Sequence, residues 1–369
     1  MTDLRVLHSI EDIPAGEWDA VVAAHGGSVF HRHAWLSALE AGGLVRADAR
    51  HVVAVDDGRV TAVAPLYRTH HCPKLEMFQR HYVNAGLPDA AMLVAHSMYA
   101  QSSEILAGDD DRRTAVLDGI EALHRAEGPE LILSFPLVPS DSPLLPALTG
   151  RGHPLALLSC TNLLDIEWDT FEGYLAARPS AKRHNIQRGI QRSEQAGAVL
   201  DVRRGTGDVE LIAGLVRRTA EHHGSPQFFT EAFLAATLDR LGESAVVFTV
   251  LGRGQPVLAC LALDDGTEVA PWCIGFDYAS LAEFGHYNYL YAGVIRYAIE
   301  HRRKIVNFGR STYYIKRKYG CRQRPVYAAM AAPPALRAAV DGWLGAIDRH
   351  AAEELAAAGL PVPALQGVR

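Results

Sequence analysis

Two stretches of the chain share one pattern of apolar and polar positions. Residues 52–66 (VVAVDDGRVTAVAPL) and 247–263 (VFTVLGRGQPVLACLAL) each run as an apolar strand, a short glycine-containing turn and a second strand of alternating apolar residues. Asp-Gly and Arg-Gly between such runs predict β-hairpins, because a two-residue turn needs the positive φ that glycine adopts freely. The hairpins start about 195 positions apart, which suits two similar domains and not a short solenoid repeat. Around them, apolar residues recur at helical spacing. Helices are predicted over 16–24, 32–41, 111–126, 180–196, 207–223, 230–241 and 289–300, and over Ala335–Ala358 with Leu336, Val340, Trp343, Leu344 and Ile347 on one face. Strands are predicted over 4–8, 50–55, 59–68, 131–135, 155–167, 245–264 as a hairpin, 268–276, 305–308 and 325–331, with a long irregular loop from His70 to Pro88. Helices and strands interleave throughout, which makes the class α/β (α+β).

Length agrees with a division in two: 369 residues, at ~150 per domain, predict two domains. The boundaries fall at 1–155, at 156–331 and at a C-terminal helix and tail over 332–369. With 49% hydrophobic and 21% charged residues the chain has core enough to fold without staples. It contains no apolar run of the ~18 residues needed to span a bilayer, and its N-terminus lacks a cationic and apolar leader, so a cytoplasmic protein is expected. The five cysteines are scattered without a C-x-x-C pair, which points to neither a disulfide framework nor a zinc ribbon. His70, His71, Cys72 and His81 share a loop but match no ligand spacing, so no metal is expected. The absence of a G-x-S-x-G elbow, a Walker loop or a strand-linked G-x-G-x-x-G excludes the common hydrolase, NTPase and dehydrogenase readings.

Charge changes the picture locally. A net charge of −6 argues against indiscriminate nucleic-acid binding, yet Arg178, Lys182, Arg183, His184, Arg188 and Arg192 follow one another with no acid until Glu194. On the predicted helix, Ile186 and Ile190 form the apolar stripe and the basic residues a ridge, either a solvated face or a surface for a phosphate-rich donor. Of the chain's 36 basic residues only five are lysines, and two of these, Lys316 and Lys318, lie within the segment Phe308–Tyr327 (FGRSTYYIKRKYGCRQRPVY). An arginine-biased chain that keeps two ammonium groups there, just past a buried strand, points to a site that holds an anion or polarises a carbonyl. A solvated basic turn is the plainer alternative.

The basic helix 179–195, the hairpin, the helix ending in His301–Lys304, the strand closed by Phe308-Gly309 and the run Ile315-Lys316-Arg317-Lys318-Tyr319-Gly320 together resemble the FemAB-like branch of the GNAT acyltransferase superfamily. The resemblance covers about residues 160–330, and 1–155 more loosely. It implies two tandem GNAT-like domains, each a mixed, mostly antiparallel sheet flanked by helices, with the catalytic site in the second. It also implies transfer of an aminoacyl group from aminoacyl-tRNA to an amine, in natural-product or cell-wall-type biosynthesis, with no covalently bound cofactor. Acyl transfer from coenzyme A or a phosphopantetheinyl carrier protein, and a non-catalytic GNAT pair that only binds, stay open as alternatives.

The family's Phe-Lys-x-x-Phe-Gly motif appears here as Ile315-Lys316-Arg317-Lys318-Tyr319-Gly320. Lys316 is thereby the expected oxyanion stabiliser, and Tyr313 or Tyr314 replaces the missing aromatic against a terminal adenosine. Ordinary acetyltransferases cradle a pyrophosphate in a glycine-rich loop at a helix N-terminus, where free N–H groups meet the anion. The matching residues 277–288 (DYASLAEFGHYN) carry two acids and one late glycine, a poor cradle. Asp277 or His286 is expected to orient or deprotonate the amine, beside Tyr287. Arg310 and Ser311 are expected to hold an acceptor carboxylate or phosphate, and Lys182, Arg183, Arg188 and Lys318 the donor.

Overall fold

The structure is a computed structural model that describes residues 2–43, 47–70, 89–95, 99–128, 130–224, 229–280, 283 and 285–363. The chain forms two compact units, one of Met1–Cys160 with Arg324–Arg369, the other of Thr161–Gln323.

The first unit opens with β1 (Asp3–Leu7), α1 (Ala15–Ala24), α2 (His33–Ala41), β2 (Ala47–Ala49), the hairpin β3 (His51–Asp56) and β4 (Arg59–Ala64), β5 (Tyr67–Thr69), β6 (Met92–Val94) and β7 (Leu106–Ala107). It continues through α3 (Asp110–Glu127), β8 (Ile132–Pro139), α4 (Leu144–Gly150) and the start of β9 (Leu155–Asp165). Strands β1-β3-β4-β7 form an antiparallel sheet. Strands β2, β5, β6 and β8 pair in that order, antiparallel except for β6 with β8. Val52, Ala62, Leu93, Leu117, Ile120, Leu133 and Phe135 make the core between sheet and helices. The Glu40 carboxylate at the end of α2 accepts from Ser9 Oγ at 2.8 Å, from the Ile10 amide and from His51 Nε2 at 2.9 Å, which ties the N-terminal segment to the helix. Those donors favour the ionised form and hold its pKa below the usual value although burial opposes them.

The second unit contains the end of β9, α5 (Phe171–Ala176), α6 (Ser180–Gln195), β10 (Ala198–Arg204), α7 (Val209–His222), α8 (Glu231–Leu241), the hairpin β11 (Ala245–Gly252) and β12 (Gln255–Asp264), β13 (Glu268–Phe276), α9 (His286–Glu300), β14 (Ile305–Asn307) and α10 (Tyr313–Lys318). The chain then enters β15 (Arg322–Ala331), whose later portion pairs with β8 of the first unit's own sheet, and ends in α11 (Pro334–Ala357). The Asp348 carboxylate of α11 accepts from the Leu157 amide at 2.9 Å, and Trp343, Leu344 and Ile347 are buried, as the apolar face of that helix predicts.

Both predicted hairpins form, and they form alike. Asp57 and Gly58 have φ of 50° and 77°, Arg253 and Gly254 have 50° and 80°, so each turn holds two successive left-handed residues as a tight twisted hairpin requires. Each hairpin also slips register once, at Ala54/Val55 and at Val250/Leu251.

Strands of the second unit run in the order β10-β11-β12-β13-β14-β9, antiparallel apart from β13 with β14. That parallel pair is joined through α9, as a strand-helix-strand crossover must be. It lasts for only two matched positions, Glu268 with Ile305 and Val269 with Val306. Beyond them β13 continues to Phe276, and the residues after β14 go their own way. The sheet therefore splits at this point, and the Phe308–Tyr319 segment follows immediately after the split.

Candidate functional site

Just after β14 the backbone leaves ordinary conformational space. Gly309 has φ of 68°, and Ser311 and Thr312 follow at 60° and 48°. For residues with a Cβ the left-handed region costs about 1–2 kcal/mol each, so it persists only where surroundings enforce it. Here two buried asparagines enforce it. Asn162 on β9 donates its side-chain amide to Gly309 O at 2.8 Å and to Ser311 O at 3.3 Å, and Asn307 Oδ1 accepts from the Gly309 amide at 3.0 Å. Gln323 in turn donates to Asn162 Oδ1 at 3.1 Å. The bend aims α10 so that one of its lysines points inward.

That residue is Lys316, only 4% exposed. Its Nζ donates to the Arg310 carbonyl at 2.6 Å, within the same bend. Burial penalises the charged ammonium and, with Arg310 adding a smaller push, lowers the pKa to about 7, so a substantial fraction is neutral near physiological pH. Cys321 lies close enough to interact electrostatically, but burial pushes its thiol up to about 12, which leaves it protonated. Arg317 is exposed and Lys318 half-buried, so the K-R-K run alternates inward and outward where a solvated turn would expose all three. Lys318 Nζ donates to Asn288 Oδ1 at 2.5 Å, and Tyr319 Oη donates to the same oxygen at 2.9 Å. Burial and the nearby Lys182 both lower the pKa of Lys318.

Tyr313 is buried, whereas Tyr314 is 76% exposed, and Lys182 Nζ lies 5.9 Å from the Tyr314 ring. The basic helix α6 is thereby sorted. Lys182 sits one turn before Ile186 on the stripe that also carries Ile190 and Ser193, all three buried, and this brings it to α10. Arg183 is half-buried nearby, while Arg188, two residues past Ile186, falls on the opposite, exposed side of the helix. Sequence spacing alone groups these residues as one ridge; the packing of α6 divides them.

On the other flank, the Asp277 carboxylate accepts from the Ala279 amide at 3.2 Å and so caps its own turn. His286 opens α9, and its side chain lies outside the described residues, as do Leu281, Ala282 and Phe284. The candidate metal loop at His71, Cys72 and His81 also lies outside them. Tyr287 is partly buried, and burial with the neighbouring Tyr278 raises its pKa. Its ring is 5.3 Å from Phe276 and 5.8 Å from Tyr291, and Tyr291 reaches Phe308 at 4.5 Å and Tyr319 at 5.1 Å. An aromatic column thus bridges the split from the end of β13 to the residues after β14.

The first turn of α9 packs closely against α6. A Cβ at Gly189 of α6 would lie 3.2 Å from the Asn288 side chain, and one at Gly285 would lie 3.2 Å from Ser193 Oγ. α6 thus lies close against this turn, and the loop before it carries two acids, Asp277 and Glu283, where a pyrophosphate cradle would be glycine-rich. Glu283 of that loop is paired with Arg253.

Sequence reasoning counted Arg178 only in the basic run before Glu194 and missed its contact with the segment after β14. Its guanidinium lies over the rings of Trp168 and Tyr174, at 5.0 and 5.3 Å, and donates to Tyr319 O at 3.5 Å. Gly320, at φ of 90°, makes the space, since a Cβ there would overlap Arg178 Nη1. The paired glycine and tyrosine at 319–320 were the available signal.

Residues 180–317 match the family described as acetyltransferase (GNAT) domain, and residues 9–86 match a FemAB-like family described as peptidoglycan biosynthesis/recognition. No curated protein matches the chain in sequence. Among solved structures, FemX is similar over 91% of this chain and 100% of its own, with 14% identity and a TM-score of 0.63. The C-terminal domain of a putative lysylphosphatidylglycerol synthetase from Agrobacterium fabrum is similar over 89% and 95%, with 13% identity and a TM-score of 0.57. A tandem GNAT protein from the clavulanic acid biosynthesis pathway is similar over 90% and 99%, with 13% identity and a TM-score of 0.52. At such identities the likeness is one of fold, and the fold is two GNAT-like halves in tandem.

Proposed function

We propose, from the premise that this chain is a FemAB-like member of the GNAT superfamily and an acyltransferase, that it forms an amide by moving an aminoacyl group from aminoacyl-tRNA to an amine. The observation that carries this choice of donor is the first turn of α9, where α6 packs closely against Gly285 and Asn288 and two acids stand in the loop in place of a glycine-rich phosphate cradle. Beside it stand an exposed tyrosine and two ammonium groups, a combination that suits a nucleotide. Tyr314 offers a flat face for the terminal adenosine, and base-on-aromatic stacking contributes about 1–3 kcal/mol. Lys182 and Lys318 attract the adjoining phosphates, with Arg183 at the edge of that patch; Arg188 faces away from it.

In the reaction, the acceptor amine attacks the ester carbonyl and negative charge gathers on the carbonyl oxygen. Lys316 has one N–H committed to Arg310 O, which fixes its position, and presents the rest of its ammonium to that oxygen. One such preorganised donor contributes about 3–4 kcal/mol, because it is already oriented before charge develops. Arg310 and Ser311, held in the strained bend, would take an acceptor carboxylate or phosphate by charge-assisted hydrogen bonds. We assign Asp277, His286 and Tyr287 to the acceptor side, where Asp277, which caps its own turn, acts by shaping the loop. The match of residues 9–86 to a family described as peptidoglycan biosynthesis/recognition, and the fold shared with a protein from the clavulanic acid biosynthesis pathway, make an acceptor of the cell-wall or natural-product type the first choice.

The test is binding and transfer with two donors side by side. A pool of charged tRNA and acetyl-CoA are each titrated onto the protein, with wild type compared to Tyr314→Ala. Retention of charged tRNA, weakened about 10-fold or more in Tyr314→Ala, supports the reading, in keeping with the stacking energy above. Saturable binding of acetyl-CoA without RNA binding replaces it with a thioester-dependent transferase.

A further inference from the structure

Strand β10 ends its sheet, with β11 on one side and, among the described residues, no strand on the other. Its pairing with β11 is regular from end to end: the Arg253 amide donates to Gly197 O at 3.4 Å, and the Gly205 amide to Ala245 O at 2.9 Å. Odd-numbered residues therefore turn their N–H and C=O toward β11, while Ala198, Leu200, Val202 and Arg204 turn theirs to the open edge. Such a row of backbone groups is a template for another strand.

The side chains do not close that edge. Leu200 lies against α9, where a Cβ at Gly293 would come 2.3 Å from its Cδ2. Val202, on the same face, is 38% exposed, and Val199 on the opposite face is 57% exposed. Arg204 could screen the edge, but its guanidinium is drawn to the Glu243 carbonyl at 2.9 Å. Asp201 and Arg203 flank Val202 with opposite charges, and Arg203 Nε donates to Asp201 Oδ2 at 2.8 Å. Charges that guard an edge against pairing repel an incoming strand; these two present each other's complement to an antiparallel copy.

We propose that β10 is the contact through which two copies of this chain associate, paired antiparallel with Val202 opposite Val202 of the second copy. Open-edge residues pair with open-edge residues, so the register can change only in steps, and charge chooses among them. Val202 against Leu200 sets Asp201 against Asp201, and Val202 against Arg204 sets Arg203 against Arg203. Leu200 against Leu200 leaves Asp201 facing Val199. Val202 against Val202 sets each Asp201 opposite an Arg203, at non-hydrogen-bonded positions where cross-strand side chains come closest. Val202 then exchanges backbone hydrogen bonds with its copy, and Leu200 and Arg204 pair on either side. The contact is isologous, so it closes after two copies. A strand of seven residues gives a small interface, and a dissociation constant of about 10–100 µM is expected.

Sedimentation velocity of the full chain from about 5 to 500 µM tests this, a range that brackets the expected constant. Wild type should pass from monomer to dimer across it. Asp201→Arg and Arg203→Asp should each weaken the dimer about 10-fold or more, because each sets like charges together twice. The double variant, with both changes, restores the complement and should return to within about 3-fold of wild type. Val202→Pro removes an N–H that the monomer does not use in its sheet and should abolish the dimer; circular dichroism checks its fold, and if it does not fold the charge series decides. A wild type that stays monomeric throughout overturns the proposal. So does a dimer that withstands both single reversals, or one that the double variant weakens as much as they do. A dimer lost instead on Leu4→Pro, in the end strand β1 of the first unit, also overturns it.

Discussion

Replacing Lys316 by methionine should stabilise the protein in acid and cost it its activity. The lysine's pKa is about 7 in the fold against an ordinary value of 10.5, a difference caused chiefly by burial. Because the unfolded chain binds the proton more tightly, the native state carries a penalty that is fully present below pH 7 and fades as pH climbs from 7 toward 10.5. Linkage with these two values puts the penalty at about 5 kcal/mol at pH 6 and about 2 kcal/mol at pH 9. Methionine removes it, but leaves the Arg310 carbonyl without the lysine donor, which costs about 2 kcal/mol. The variant should therefore be about 3 kcal/mol more stable than wild type at pH 6 and nearly equal to it at pH 9. For a unit of this size that is a rise in Tm of about 6–12 °C at the lower pH. Thermal melts followed by circular dichroism at both pH values measure it, and acyl transfer should fall about 100-fold or more, the usual cost of an oxyanion donor. A Tm that drops by the same amount at pH 6 and pH 9 would refute the reasoning, since it would mean that the ammonium is not a buried, destabilising charge.

Two further outcomes follow from the same region. Asn162→Ala removes both bonds that hold the carbonyls of Gly309 and Ser311, so urea unfolding should show a loss of about 1–3 kcal/mol, and transfer should fall because Lys316 is no longer aimed; an unchanged midpoint would show that the bend holds itself. Lys182→Glu should weaken retention of charged tRNA in a filter assay at least several-fold more than Arg188→Glu, because only the first lies beside Tyr314 and Lys318; equal effects would return the basic helix to a uniform ridge.

Local chemistry was legible in the sequence wherever it depends on near neighbours. The two hairpins, the face of α11, the helix α6 and the short strand before Phe308-Gly309 all follow from periodicity and turn residues, and both glycine-containing turns adopt the positive φ their composition requires. The importance of Lys316 was legible too, from its rarity and its motif. What only the tertiary structure decided were the relations between distant residues. Whether Lys316 is buried depends on Asn162, about 150 positions earlier, bending the chain after Gly309. That Lys182 and not Arg188 reaches α10 depends on which face of α6 is covered. His223 and Tyr278 meet because a glycine on β13 lets α7 approach, a fact about backbone contact that no local pattern records. The return of β15 and α11 to the first unit is of the same kind. Periodicity reports which side of an element is apolar; only packing fixes what that side faces, and the chemistry of this site lies in what it faces.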